Sequence, residues 1–348
     1  MEDLDTVVLH TALAWWAGGL PVVLVTVART WGSSPRPPGS LTAINARGEV
    51  VGSVSGGCIE DDLIHRIRGE GIQGVCTSGR PIVLRYGISA DQAHRFGLPC
   101  GGTMALVLEP ISSHSQLDHL LTACKQRCST ERVLDLRSGE VFLREGRRDG
   151  VPRLNDTHLV THLGPKARLI VIGAGDLSRY LCQMALSLGF EVIVCDPRPE
   201  HRATWALEGV VLSHEMPDDM ILRLRPDART AVVALTHDPK LDDLALIDAL
   251  HSEAFYVGAI GSRRNSTSRR ERLREYFDLP ESALDALHGP AGLYIGSKTP
   301  AEIALSIMAE IVAVKNGIHR PTPSSVAFGK SVHEQADCSV AMAPGCMT

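Results

Sequence analysis

Two cysteines stand beside paired glycines in opposite order, Gly56-Gly57-Cys58-Ile59-Glu60 and Pro99-Cys100-Gly101-Gly102, and ahead of both runs a proline-stiffened loop, Gly32-Ser33-Ser34-Pro35-Arg36. Glycine pairs let a backbone come close to another molecule. The apolar period that begins at Ile59 and passes through Leu63, Ile64 and Ile67 puts Cys58 at a helix start, where unpaired N–H groups and the positive end of the peptide dipole favour thiolate. Glu60, Asp61 and Asp62 crowd that turn with negative charge, so the sign of the net shift stays open. Two hydroxyls (Ser33, Ser34), one guanidinium (Arg36) and two thiols (Cys58, Cys100), with Gly56 and Gly57 baring the backbone, suit an anionic ligand with a thiophilic centre. Each loop alone also reads as a connector, and Cys58 alone as a small buried residue. Their recurrence between residues 32 and 102 is what points to a site.

The second half carries a different set. Gly173-Ala174-Gly175 lies between an apolar run, residues 168–172, and a helical pattern over 177–188; Asp196 closes the next apolar run, 191–195. This is a βαβ unit of dinucleotide-binding type, with a carboxylate where a ribose is contacted. Ser178 replaces the third glycine, and Asp176 puts a carboxylate where the helix N-terminus would meet pyrophosphate, competing for its N–H groups. Both departures count against an ordinary NAD(P) pose. Ligands of open parallel sheets sit beyond the carboxyl ends of the strands. Those ends carry Gly173, Gly175, Asp196, His237, Ser262, Arg263 and Lys298, a set suited to an anion. His237 beside Asp238 reads as an acid–base group or polar clamp, or as an ordinary loop histidine. The arginines of 269–274 read equally as an anion site or a solvated face.

These residues need elements to hold them. Apolar spacing predicts a helix over 3–17, a buried strand over 21–29, a hairpin (41–44 and 50–54) around Asn45–Gly48, the helix from Ile59, and strands at 82–86 and 104–108. The expected fold class is α/β: an N-terminal mixed α/β domain (1–112) plus a C-terminal Rossmann-like parallel sheet domain (166–317). Between them, 113–165 reads as a helix near 116–127, a hairpin over 133–143 and a polar connection over 144–156. Asp238 is expected to cap a helix from Pro239, and Thr299-Pro300-Ala301-Glu302 forms a capping box whose helix would bury Ile303, Leu305, Ile307, Met308, Ile311 and Val312. Residues 318–348 have little apolar pattern and are expected to be disordered.

At 348 residues with 44% hydrophobic side chains the chain can fill two cores. A net charge of −5 leaves no basic footprint for nucleic acid, and no apolar run is long enough to cross a bilayer. The acidic N-terminus, Met1-Glu2-Asp3-Leu4-Asp5, lacks the charge of an export signal, so a cytoplasmic location is expected. Nine scattered cysteines then read as reduced, and Cys124 and Cys128, without a second pair, as ordinary helix residues.

The motifs together resemble the XdhC/CoxI family over roughly residues 10 to 315. The resemblance rests on Gly32–Arg36, Gly52–Glu60, Pro99–Gly102, Gly173–Gly175 with Asp196-Pro197-Arg198, Thr236-His237-Asp238, Tyr256–Arg263 and Gly292–Pro300. It implies a chaperone without turnover. Such a chaperone binds molybdenum cofactor, as molybdopterin or molybdopterin cytosine dinucleotide, and inserts it into a molybdenum hydroxylase of xanthine dehydrogenase or aldehyde oxidase type. It also implies that Cys58 handles the molybdenum or its sulfido ligand, with Cys100 and Glu60 as companions, a cysteine desulfurase as a further partner, and a homodimer. The expectation is that the cysteine half holds the metal end and the Rossmann half the phosphate end. The alternatives are an NAD(P)-dependent oxidoreductase and a sulfurtransferase using Cys58 with Glu60 or His237 as base.

Overall fold

In the computed structural model, the described residues are 4–32, 34, 36–76, 79–87, 103–146, 151–202, 205–318 and 326. The chain divides into two compact units, Glu2–Pro165 and Lys166–Thr348.

The first unit is built on an antiparallel sheet in the order β3-β2-β1-β5-β4: β1 (Val22–Trp31), β2 (Leu41–Asn45), β3 (Val50–Gly52), β4 (Ile82–Tyr86) and β5 (Thr103–Pro110). Side chains alternate between the faces of a strand, so β1 serves two cores at once. Val23, Val25 and Val27 pack with Ile59, Leu63 and Ile67 of α2 (Cys58–Val75). Val22 and Leu24 pack with α1 (Leu4–Ala17) and α3 (Leu117–Lys125), and Ala28 with a second sheet. That sheet, in the order β7-β6-β9-β8, comprises β6 (Thr130–Asp135), β7 (Val141–Glu145), β8 (Arg153–Leu154) and β9 (His158–Leu163). The run expected to be a connection therefore contains β8 and leads into a strand the sequence pattern hid. In β9 only Leu159 and Thr161 are buried, and a polar Thr161 on the buried face beside an apolar Val160 on the other masks the alternation. A buried ion pair, Arg132 Nη2 to Glu109 Oε1 at 2.5 Å, joins β6 to β5, and Arg132 also donates to the Ser115 carbonyl.

The second unit is a six-stranded parallel sheet in the order β12-β11-β10-β13-β14-β15. Its strands are β10 (Arg168–Ile172), β11 (Glu191–Cys195), β12 (Val210–Ser213), β13 (Thr230–Ala234), β14 (Tyr256–Ala259) and β15 (Leu287–His288). Central strands of such a sheet are covered on both faces and read as continuous apolar runs. Leu169 and Val171 meet α4 (Asp176–Ser187) and α10 (Pro300–Lys315); Ile170 and Ile172 meet the core that includes α6 (Pro217–Leu224), α7 (Pro239–His251), α8 (Arg263–Phe277) and α9 (Glu281–Asp285). A short helix, α5 (Pro199–Arg202), follows β11. On α10, Ile307, Met308 and Ile311 are buried, but Leu305, expected inside, is 52% exposed because it lies on the opposite side of the helix. Among the described residues no helix is long and apolar enough to cross a membrane.

Candidate functional site

Cys58 opens α2 by its backbone; its side chain lies outside the described residues, as do Ser33 and the whole Cys100 loop. The turn in front of it is held by one carboxylate. Glu60, 6% exposed, takes hydrogen bonds at Oε1 from the Ser53 hydroxyl (2.8 Å) and the N–H groups of Val54 (2.7 Å) and Ser55 (3.0 Å). At Oε2 it takes the Ser55 hydroxyl and the Gly57 N–H (3.0 Å). Burial alone would raise its pKa, but the Ser55 and Ser53 hydrogen bonds win and hold the carboxyl at about 2. A carboxylate this acidic, with its lone pairs engaged, shapes the turn and has no capacity left to serve a thiol as base. Gly56 (φ 88) and Gly57 (φ 134) occupy backbone regions that side chains avoid, and a Cβ on either would meet nothing within 4 Å. Glycine is needed there for conformation, since among the described residues nothing would crowd a side chain. In the loop after β1, Ser34 donates to the Arg36 carbonyl at 2.8 Å, and both residues are half-buried.

The glycine turn after β10 is arranged differently. The Gly173 N–H donates to the Cys195 carbonyl at 2.7 Å, and at φ 105 its α-carbon sits so close to Thr236 that a Cβ would lie 2.9 Å from Thr236 Cγ2. Gly175 precedes α4, whose first turn receives no side-chain cap. Asp176 is exposed there without bonding those N–H groups. The carboxylate that does compete in this loop is Asp196. It is fully buried, with Oδ2 accepting from the Ala174 N–H (2.8 Å) and Arg198 Nη2 (2.9 Å), and Oδ1 from Arg198 N (3.0 Å) and Nε (2.9 Å). Burial opposes ionisation, yet the Arg198 guanidinium and the Ala174 N–H lower its pKa. Asp196 thus has no lone pair left for ribose hydroxyls, and these residues do not fit a dinucleotide in the ordinary pose.

Thr236-His237-Asp238 divides its work. Thr236 donates to Asp242 Oδ1 at 2.7 Å; Asp238 caps α7 through the Lys240 N–H at 2.9 Å; His237 is exposed at φ 65, an uncommon conformation for a side-chain-bearing residue. The basic helix is mostly structural. Arg269, 6% exposed, binds Asp242 (3.0 Å), Asp243 (2.8 Å) and the Ile260 carbonyl (3.1 Å), while Arg272 binds Asp243 and Arg274 binds Glu281. Neither a solvated face nor an anion site describes Arg269, because the acidic partners that bury it come from α7. Ser262 caps α8 through the Asn265 N–H, with Arg263 half-buried at the helix start. Before α10 the capping box forms: Glu302 takes the N–H groups of Lys298 (2.8 Å) and Thr299 (3.0 Å). The Lys298 side chain is exposed at the rim of a pocket of about 400 Å³ shared with Ile260, Gly261, Leu293, Tyr294, Ser297 and Ile303.

Two family models match the chain, the XdhC and CoxI family over residues 15–87 and the XdhC Rossmann domain over residues 169–311. The chain belongs to the XdhC and CoxI family. Over 322 residues it is 26% identical to a protein of Bacillus subtilis described as a probable subunit of xanthine dehydrogenase, covering 85% of this chain and 94% of that one. Over 316 residues it is 26% identical to the molybdenum cofactor insertion chaperone PaoD of Escherichia coli, covering 90% of each. A crystal structure described as a xanthine dehydrogenase from Bacillus halodurans superposes with a TM-score of 0.71 at 25% identity, over 94% of this chain and 99% of that one.

Within this XdhC/CoxI chain the expected site residues fall into three groups. Gly56, Gly57 and Glu60 share one turn with the Cys58 backbone; Gly173, Gly175 and Asp196 share another; His237 follows β13, Ser262 and Arg263 follow β14, and Lys298 stands just before α10. Sequence reasoning passed over Ser53 and Ser55 as ligands of Glu60, Arg198 as the partner of Asp196, and the pocket beside Lys298. A glutamate three residues into a helix signals the first of these, since that position returns to its own N-cap. The thiols of Cys76, Cys182 and Cys195 are buried and pushed up to about 12, which makes them packing groups.

Proposed function

We propose that this chain binds molybdenum cofactor and delivers it to a molybdoenzyme of the xanthine dehydrogenase type. The observation that carries the reading is the match, over nine-tenths of both chains, to a protein named a molybdenum cofactor insertion chaperone. The two glycine turns support it chemically. A soft thiolate is the protein ligand suited to a dithiolene-bound molybdenum centre, and the Cys58 backbone stands at the first position of α2, directly after two glycines at positive φ. Phosphate belongs at an uncapped helix N-terminus, which the second unit offers at α4. In this reading the cofactor is cargo, Cys58 takes the metal end, and Glu60 keeps the turn open for it. Sulfuration of the cargo, with a cysteine desulfurase as sulfur source, belongs to the same proposal. It predicts a persulfide on Cys58 that mass spectrometry detects after incubation with the desulfurase.

The test is anaerobic purification after co-expression with a cofactor-producing pathway, followed by fluorescence of the oxidised pterin. Wild type is expected to carry pterin and Cys58→Ala to lose most of it. Equal pterin in both removes Cys58 from the proposal; pterin in neither removes the cofactor.

A further inference from the structure

The outward face of the second sheet in the first unit is not composed as water alone would ask. Cross-strand register sets Phe142 of β7 opposite Val133 of β6, Val133 opposite Val160 of β9, and Val160 opposite Arg153 of β8. One row of the face is therefore apolar across three adjacent strands. By alternation it is the outer row, because Leu134, Val141 and Leu159 of the same strands fill the core with Ala28 on the other side. An antiparallel sheet that turns one face to water normally carries polar residues there. Here Val133 and Val160 are half-buried and Phe142 is 58% exposed. A single exposed apolar residue is ordinary, whereas a contiguous row marks a contact surface.

Charge borders that row unevenly. Two residues further along the strands, Arg144, Glu131 and His162 again stand directly opposite one another. Glu131 is only 5% exposed despite lying on the outward face, because Arg144, Arg153 (3.3 Å) and His162 (3.7 Å) converge on it. Two guanidinium groups thus share one covered carboxylate, while their own side chains stay 64% and 67% exposed. This flank presents positive charge outward, with more N–H groups than one shared carboxylate accepts. On the other flank Asp135 stands opposite His158, and its carboxylate is committed: Oδ1 accepts from the N–H groups of Arg137 (2.7 Å) and Ser138 (2.9 Å), and Oδ2 lies 3.6 Å from His158 Nε2.

These features define the occupant. Aromatic rings and arginines are the side chains that protein interfaces favour and that contribute most to them. An apolar row suits no nucleic acid, and neither does a chain of net charge −5. A second copy of this face fits poorly, since Glu131 and Asp135 are both engaged and would bring no free carboxylate to the arginines. Charge complementarity calls instead for another protein, apolar at the centre of its contact and acidic along one side.

We propose that this face docks the molybdoenzyme that receives the cofactor, with Phe142 in an apolar patch of the client and Arg144 and Arg153 on carboxylates beside it. The partner's identity rests on the cofactor reading. The probe is the cofactor-free molybdenum subunit of the xanthine dehydrogenase type enzyme encoded in the same genome. Its association with the full chain is measured by biolayer interferometry at low and high salt, with pterin content followed in parallel. Phe142→Asp is expected to weaken the complex about tenfold or more, with the urea midpoint and the pterin content unchanged, and Phe142→Leu to keep most of the affinity. Arg144→Gln with Arg153→Gln should flatten the salt dependence that the wild type shows. A complex indifferent to Phe142→Asp, or no complex with the wild type, overturns the proposal. So does sedimentation in which Phe142→Asp turns a dimer into a monomer, because the face then belongs to a second copy. Pterin that co-purifies without any complex sinks the docking face alone. A complex that depends on Phe142 while no pterin co-purifies sinks the cofactor reading alone.

Discussion

At the start of α2 the N–H groups of the turn are taken by Glu60, a residue of the same helix, whereas at the start of α4 the Ala174 N–H is taken by Asp196, a residue of the next strand. The first arrangement is local. Three backbone N–H groups and two hydroxyls converge on one carboxylate, so the turn already contains its anion and has none of those donors left for a ligand. The residue that follows it is Cys58, the first of α2. The second arrangement is long-range and partial: Asp196 and Arg198 close the ribose side, yet the first turn of α4 keeps its N–H groups clear of side-chain caps. Two glycine turns with the same outline in sequence thus differ in what they leave available, the first with its donors spent on Glu60 and the second with helix N–H groups clear of side-chain caps.

The contrast makes ranked demands. Glu60→Ala is expected to cost the most, about 3 kcal/mol, because it strands several loop donors together. Urea unfolding measures it. The carboxylate's contribution also has a pH signature. With a folded pKa near 2, below the ordinary 4.5, Glu60 stabilises fully above 4.5 and progressively less as pH falls to 2. Wild type should therefore lose stability across that window, and Glu60→Gln should lose less. Asp196→Asn is expected to cost about 2 kcal/mol, since the amide still accepts from Ala174 but gives up the bidentate pair with Arg198. If it proves costlier than Glu60→Ala, the local clamp is not the stronger of the two. Gly56→Ala should cost about 1 kcal/mol, from the positive φ alone with no clash, and should leave the urea dependence of unfolding unchanged.

Much of the second unit is legible in one dimension. The strand, glycine turn, helix and strand from Arg168 to Cys195 run within a residue or two of where apolar period and glycines put them, and the caps at Asp238 and Thr299 form as the residue types demand. Each depends on neighbours a few positions apart. β9 was not legible because half of its six residues are polar, and its partner β6 lies more than twenty positions away in sequence. The turn chemistry was half legible. Asp176 looked able to compete for the N–H groups of the Gly173 loop and Asp196 looked placed for a ribose, and only the parallel register of β10 with β11 brings Asp196 onto Ala174. The arginines of α8 looked like an anion site until α7 supplied the aspartates that bury Arg269.

The order of residues by itself determined where helices begin, where glycine is obligatory and which side chains of a strand share a face. Those outcomes follow from backbone sterics and from periods of two and 3.6 residues. Tertiary structure alone decided which carboxylate meets which N–H and which guanidinium is spent on structure. It also decided where a pocket opens, since a hydrogen bond depends on distances of about 3 Å between elements that the sequence leaves far apart.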